Sequence, residues 1–204
     1  MEKFYFQGPS VELKEKIIDF LDEFVKYGSD IHGSDSLDRI FRGFTFEQAL
    51  ERCLKMEDPE YAASIAHCPG KTFLLTREND GRIVATLNLR WDLNEAMLRF
   101  AGHIGYAVRP TERRKGYAKI NLYAGLREAE KLGLDKVMIG CNAENTGSNR
   151  TVTALGGVLE RSGTDPEDGM LTNVYWMNVR ESLDKYVNEY GRFIANGPEI
   201  RSSL

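Results

Sequence analysis

Cysteine is scarce in this sequence and forms no pattern. Cys53, Cys68 and Cys141 are odd in number and far apart, which argues against a disulfide framework and for a reducing compartment, the cytoplasm being the simplest. Histidine is equally thin. His32, His67 and His103 fall in no zinc-type spacing with each other or with the cysteines, so no metal site is expected. No apolar run reaches the length of a membrane span, and the N-terminus lacks the basic-then-apolar order of a secretory signal. Excess positive charge is missing too. The formal net charge of −4 speaks against bulk binding to nucleic acid or an acidic membrane, and mildly favours an amine-bearing partner. Repeats, low-complexity tracts and splitting linkers are absent from the 204 residues, a length that suits one domain with a single core.

What is present is ordinary globular material, with 42% hydrophobic and 28% charged residues, too apolar for a disordered chain. Lys3 to Gln7 reads as a first strand. Tyr5-Phe6-Gln7-Gly8 also looks like a protease-tag remnant, and we favour the native strand. Ile17, Phe20, Leu21, Phe24 and Val25 recur at helical spacing after a Ser10 cap. A flexible Gly28 to Gly43 loop should follow, then a helix opened by a Thr45–Gln48 capping box and stopped near Asp58-Pro59. Strands are expected at Thr72 to Arg77 and Arg82 to Arg90 around an Asn-Asp-Gly turn, then at Gly102 to Val108, Lys136 to Cys141, Val158 to Arg161 and Thr172 to Val179. Helices are expected at Gly116 to Leu132, Asn149 to Leu155 and Glu181 to Tyr190, the last running into a polar, fraying tail. This order predicts an α/β (α+β) domain with a mixed sheet.

The most telling stretch is Val108-Arg109-Pro110-Thr111-Glu112-Arg113-Arg114-Lys115-Gly116-Tyr117-Ala118. A strand ends, a basic loop follows and a glycine opens a helix. A helix start carries unpaired N–H groups, here expected from Arg114, Lys115 and Gly116. Arg113, Arg114, Lys115 and Lys119 add charge, so the place suits a phosphorylated ligand. There is no G-x-x-x-x-G-K-[ST] and no G-x-G-x-x-G after a strand, which excludes the P-loop and Rossmann nucleotide sites. From charge alone, a solvated helix start remains the competing reading.

Arg113-Arg114-Lys115-Gly116-Tyr117-Ala118 resembles the R/Q-x-x-G-x-G/A motif of the GNAT superfamily of N-acetyltransferases, and Asn145, Ser148 and Gly156 resemble its second motif. Gly102-His103-Ile104-Gly105-Tyr106 with Val108-Arg109-Pro110 is similar to a bacterial branch of predicted acetyltransferases. The likeness covers nearly the whole chain. It implies a mixed, mostly antiparallel sheet of six to seven strands with helices on both faces, residues 1–180 forming the domain and 181–204 a C-terminal helix and tail. It also implies acetyl-CoA as co-substrate, with no metal. Pantetheine would pair with the strand edge at Tyr106, Ala107 and Val108. The pyrophosphate would rest on the N–H groups of Arg114, Lys115, Gly116, Tyr117, Ala118 and Lys119, and Asn145 and Ser148 would flank the coenzyme. The thioester would lie where strands 102–108 and 136–141 splay apart.

The implied reaction is acetyl transfer to a primary amine of a small molecule or peptide, by direct transfer in a ternary complex. An acyl-CoA sensor without turnover is the alternative, and a homodimer is an open expectation. The Val108 N–H would polarise the thioester carbonyl. The sequence departs from the family's acid and base, because its usual tyrosine position is Val152 and its usual carboxylate or histidine positions are Gly102 and Ile104. His103 is the candidate base if a bulge turns it, and Tyr175 the candidate acid; both compete with structural roles. Trp91, Asp92 and Glu95 are candidate acceptor-pocket residues, against core and turn roles. Cys141 reads as a small buried hydrophobe rather than a nucleophile.

Overall fold

The computed structural model of the chain describes residues 2–166 and 168–195; Glu167 of the acidic turn and most of the polar tail lie outside them. Seven strands are found among these residues: β1 (Phe4–Gln7), β2 (Gly70–Arg77), β3 (Ile83–Arg90), β4 (Ile104–Val108), β5 (Lys136–Asn142), β6 (Val158–Thr164) and β7 (Leu171–Asn178). The six α-helices among them are α1 (Lys14–Lys26), α2 (Phe46–Lys55), α3 (Pro59–Ser64), α4 (Tyr117–Lys131), α5 (Thr146–Ala154) and α6 (Val179–Tyr190). The strand count matches the expectation, but the strands divide into two sheets, β1-β2-β3-β4 and β5-β7-β6. Every pairing within them is antiparallel.

Local chemistry explains most boundaries. The capping box forms as read: Gln48 N–H donates to Thr45 Oγ1 at 3.2 Å and Thr45 N–H to Gln48 Oε1 at 2.9 Å. The sequence reading missed α3. Asp58-Pro59 ends one helix and also begins another, because Asp58 accepts from the Glu60 N–H and Pro59 sits in the first turn. The loop after α1 is not featureless either; it holds a 3₁₀ segment at Leu37–Arg42. Phe4 is fully buried in β1, which pairs with β2 from Phe4↔Arg77 to Gln7↔Leu74, so the N-terminal segment is built into the sheet.

The first sheet is covered on both faces. Ile17, Phe20, Leu21 and Phe24 of α1 and Leu50 and Cys53 of α2 pack with Leu74, Ile83 and Ala107 on one side. On the other, Leu75, Leu87 and Leu89 meet Ile120, Leu122 and Leu126 of α4, and this core continues through Ile139, Val152 and Met177 to Val179, Leu183 and Tyr190 of α6. Strand alternation sorts these residues onto two faces, and α6 is integral to the core. No described helix is long and apolar enough to cross a membrane.

The sheets meet at one clasp. Gly102 and Ile139 form an isolated bridge, and the His103 N–H donates to the Met138 carbonyl at 2.8 Å. Gly102 has φ +74, and a Cβ there would stand 2.3 Å from the Met138 oxygen, so the close approach demands glycine. Beyond the clasp no ladder joins β4 to β5.

Candidate active site

The opening between β4 and β5 follows from this arrangement. At one end of the β3–β4 ladder the Arg90 N–H donates to the His103 carbonyl; at the other, the Arg109 N–H donates to the Val84 carbonyl. Antiparallel alternation between these points commits the backbone groups of Gly105 and Ala107 to β3. It turns those of Ile104, Tyr106 and Val108 toward the opening. Tyr106 and Val108 therefore present a free edge to an extended ligand, whereas Ala107 is spent on β3 and faces the α1 core. The Val108 carbonyl accepts from Arg113 Nε at 3.2 Å, leaving its N–H for the opening.

The strand runs into a turn at Pro110–Glu112 and then into α4. Ion pairs pin that turn. Glu112 is buried against Arg77 at 3.2 Å and Lys115 at 2.8 Å, and Arg109, also buried, pairs with Asp19 at 2.6 Å. Burial opposes the charge on Glu112, but Lys115 and Arg77 outweigh it and hold its carboxyl below the usual range. Arg114 (φ +66) and Gly116 (φ +86) are both left-handed, which curls the backbone into a concave run of N–H groups. Among the described residues, none of the N–H groups of Arg114, Lys115, Gly116, Tyr117 and Ala118 has an acceptor, while Lys119 N–H donates to the Gly116 carbonyl. A Cβ at Gly116 would meet nothing within 4 Å, so glycine is required there by its φ, not by crowding.

The cations divide. Arg113 turns back to Val108, to Ser29 Oγ at 2.6 Å and over the Phe24 ring, so it is a brace and not an anion ligand. Lys115 leans on Glu112. Arg114 is exposed, and among the described residues neither it nor Lys119 is in a salt bridge. Tyr117 offers only its backbone: its ring is core and its hydroxyl donates to Glu2 at 2.8 Å. Across the opening, Asn145 is exposed and caps α5 by accepting from the Ser148 N–H at 3.0 Å. α5 thus starts at Thr146, three residues earlier than expected.

A run of unpaired N–H groups at a helix start thus lies beside a strand edge opened by a splay. Residues 36–156 match the Acetyltransferase (GNAT) family, more than half of the chain. The chain belongs to the GNAT acetyltransferase family. Its fold is similar to that of ribosomal-protein-S5-alanine acetyltransferase from Vibrio fischeri, with TM-score 0.62 and 16% identity over 85% of this chain and 91% of that one. It is also similar to spermidine N-acetyltransferase from Vibrio cholerae in complex with CoA and spermine (TM-score 0.59, 12% identity, 89% and 98% covered). A GNAT acetyltransferase from Bacillus anthracis gives TM-score 0.53 at 16% identity, over 86% and 94%. No curated protein gives a match. Membership makes the chain an acyltransferase of the N-acetyltransferase class.

For a GNAT enzyme the catalytic candidates fall unexpectedly. His103 is not available as a base. It precedes β4 at the clasp, 9% exposed, and its Nδ1 accepts from the Met138 N–H at 2.9 Å, so the ring is neutral with its proton on Nε2. Burial and the nearby Arg90 charge depress its pKa to about 4. Tyr175 is buried and its hydroxyl donates to Asn149 Oδ1 at 2.7 Å, so it positions Asn149 instead of offering a free proton. Asn149 in turn donates to the carbonyls of Asn142 and Asn145, bracing the start of α5. Asp92 and Glu95 are exposed and Trp91 is half-buried.

Sequence reasoning missed the side chain of Tyr106. Its hydroxyl spans the opening to Ser148 Oγ at 3.0 Å, and Ser148 Oγ lies 3.1 Å from Cys141 Sγ. Ser148 is one helical turn before Val152, on the same face of α5. Burial raises the Tyr106 and Cys141 pKa values, so both stay protonated at neutral pH.

Proposed function

We propose that this chain transfers the acetyl group of acetyl-CoA to a primary amine of a small molecule or peptide, with both reactants held in one ternary complex. The observation that carries the reading is the run of five unpaired N–H groups at 114–118 beside the free edge of Tyr106 and Val108. These residues fit the coenzyme: the concave N–H run suits a pyrophosphate, and the edge suits pantetheine amides. The co-substrate supplies the activated acetyl thioester. Arg114 and Lys119 add positive charge at the cradle, and Asn145, the cap of α5, flanks the coenzyme from across the opening. With the coenzyme bound, the Val108 N–H, which is free of β3, would donate to the thioester oxygen. The hydroxyl bonded across the opening to Ser148 supports assigning Tyr106, in place of the expected Tyr175, the protonation of the departing thiolate. Holding the two reactants side by side supplies much of the rate, and the amine loses its proton through water.

The test has two arms. Acetyl-CoA at a hundred times its Kd should stabilise the fold by about 2.7 kcal/mol in a melt, and an amine panel should release free thiol. No stabilisation at millimolar acetyl-CoA contradicts the reading. Stabilisation with no thiol release from any amine favours the second reading, a non-catalytic acyl-CoA sensor, which the committed His103 and Tyr175 support.

A further inference from the structure

The face of β3 that looks at the 28–36 loop is polar. Thr86, Asn88 and Arg90 share it by alternation. Thr86 Oγ1 donates to the Gly33 carbonyl at 2.7 Å, and Asn88 Nδ2 donates to Thr72 Oγ1 at 3.2 Å. Arg90 is different. Its Nε is buried without a partner, and its Nη1 meets only the weak acceptor Met97 Sδ, at 3.4 Å. Among the described residues no carboxylate comes within 4.0 Å of this guanidinium.

Asp35 is the acid whose charge Arg90 feels. It sits on the loop at φ +51, and its Oδ2 is likewise buried without a partner. Burial pushes the Asp35 carboxyl up, and the positive groups it feels are His67 first and Arg90 after it; among the described residues Asp35 forms no ion pair with Arg90. A half-buried guanidinium whose Nε has lost water without gaining a partner is costly, and its fork is shaped for a carboxylate.

The place matters as much as the charge. A Cβ on Gly105 would lie 3.4 Å from Arg90 Nη2. The guanidinium therefore reaches β4 one residue from Tyr106, where the free edge begins, at the end of β4 remote from the phosphate cradle. The Gly33 backbone packs against Gly105 and Tyr106 at the same spot.

We propose that Arg90 anchors a carboxylate of the acceptor, so that the amine acetylated here belongs to an amino-carboxylate, with the two groups a few bonds apart. The inference rests on the acetyl-CoA reading above. Polyamines without a carboxylate would set a cation beside Arg90 and are poor acceptors.

The decisive experiment titrates N-acetyl-amino acids, the reaction's product class, against the CoA-saturated protein, beside the matching N-acetyl-amino acid amides. The acids should bind at least tenfold more tightly than the amides, because a charge-assisted hydrogen bond is lost with the carboxylate. Arg90→Gln should bring the acids down to the level of the amides while the CoA-induced melting shift persists, and Arg90→Lys should restore part of the difference. The acid-against-amide comparison in the parent decides the matter if Arg90→Gln does not fold. Equal binding of acid and amide, or binding of neither, overturns the anchor while the coenzyme reading stands. Absence of the CoA-induced shift in the parent overturns the coenzyme reading itself, and the anchor's role with it.

Discussion

Gly116→Glu is expected to lower acetyl-CoA affinity at least a hundredfold. Gly116 is left-handed at φ +86 and its missing Cβ faces open space, so a long side chain there has room to reach the 114–118 N–H groups. A glutamate brings a carboxylate to the place a pyrophosphate must occupy, and it competes for the same donors. A non-glycine residue at this φ also costs the fold about 1–2 kcal/mol. Gly116→Ala carries the same backbone strain without the charge, and it should keep affinity within about tenfold of the parent. Calorimetric titration of both variants checks this. Equal losses in the two would mean that strain, and not anion exclusion, governs the site.

His103→Ala should have the largest effect on stability. The ring fills the apex where β3, β4 and β5 meet, and its Nδ1 satisfies the Met138 N–H. Truncation leaves a cavity and an orphaned buried donor, together worth about 3 kcal/mol, or roughly 6–12 °C in Tm for a domain of this size. His103→Asn, which can return an acceptor, should recover part of the loss. Acidity supplies a second signature. The folded-state pKa of about 4 lies below the unfolded value of 6.5, so the unfolded chain binds the proton first as pH falls. The neutral ring's contribution is full above pH 6.5 and is lost between 6.5 and about 4. At about 1.4 kcal/mol per unit the loss approaches about 3 kcal/mol. Denaturant titrations of parent and His103→Ala should therefore converge as the pH is lowered through this window. A stability gap that stays constant from pH 7 to 4 would refute the clasp.

The parts of the molecule legible in the sequence are those written in local spacing. The Thr45–Gln48 box, the hairpin around Asp80 and the Val108 to Ala118 passage each depend on neighbours a few residues apart, and they appear where their spacing puts them. Residues whose meaning depends on a distant partner were not legible. Arg113 counts as a phosphate ligand by position, yet Phe24 and Ser29 draw it to the other side. Tyr106 reads as backbone only, because nothing local says that α5 will bring Ser148 to its hydroxyl. One signal was available and unused: Thr86, Asn88 and Arg90 alternate with apolar residues, and such a stripe ending in arginine under a loop marks a polar pocket as readily as a solvent face.

The proposed coenzyme site stands or falls with the 114–118 backbone as the holder of a pyrophosphate. The most direct test compares acetyl-CoA with S-acetyl-pantetheine, which keeps the thioester and the strand-pairing amides but lacks the pyrophosphate. Calorimetry should give acetyl-CoA an affinity at least a hundredfold higher, and Gly116→Glu should abolish that preference. Equal affinity for the two compounds in the parent protein would contradict a pyrophosphate site at 114–118.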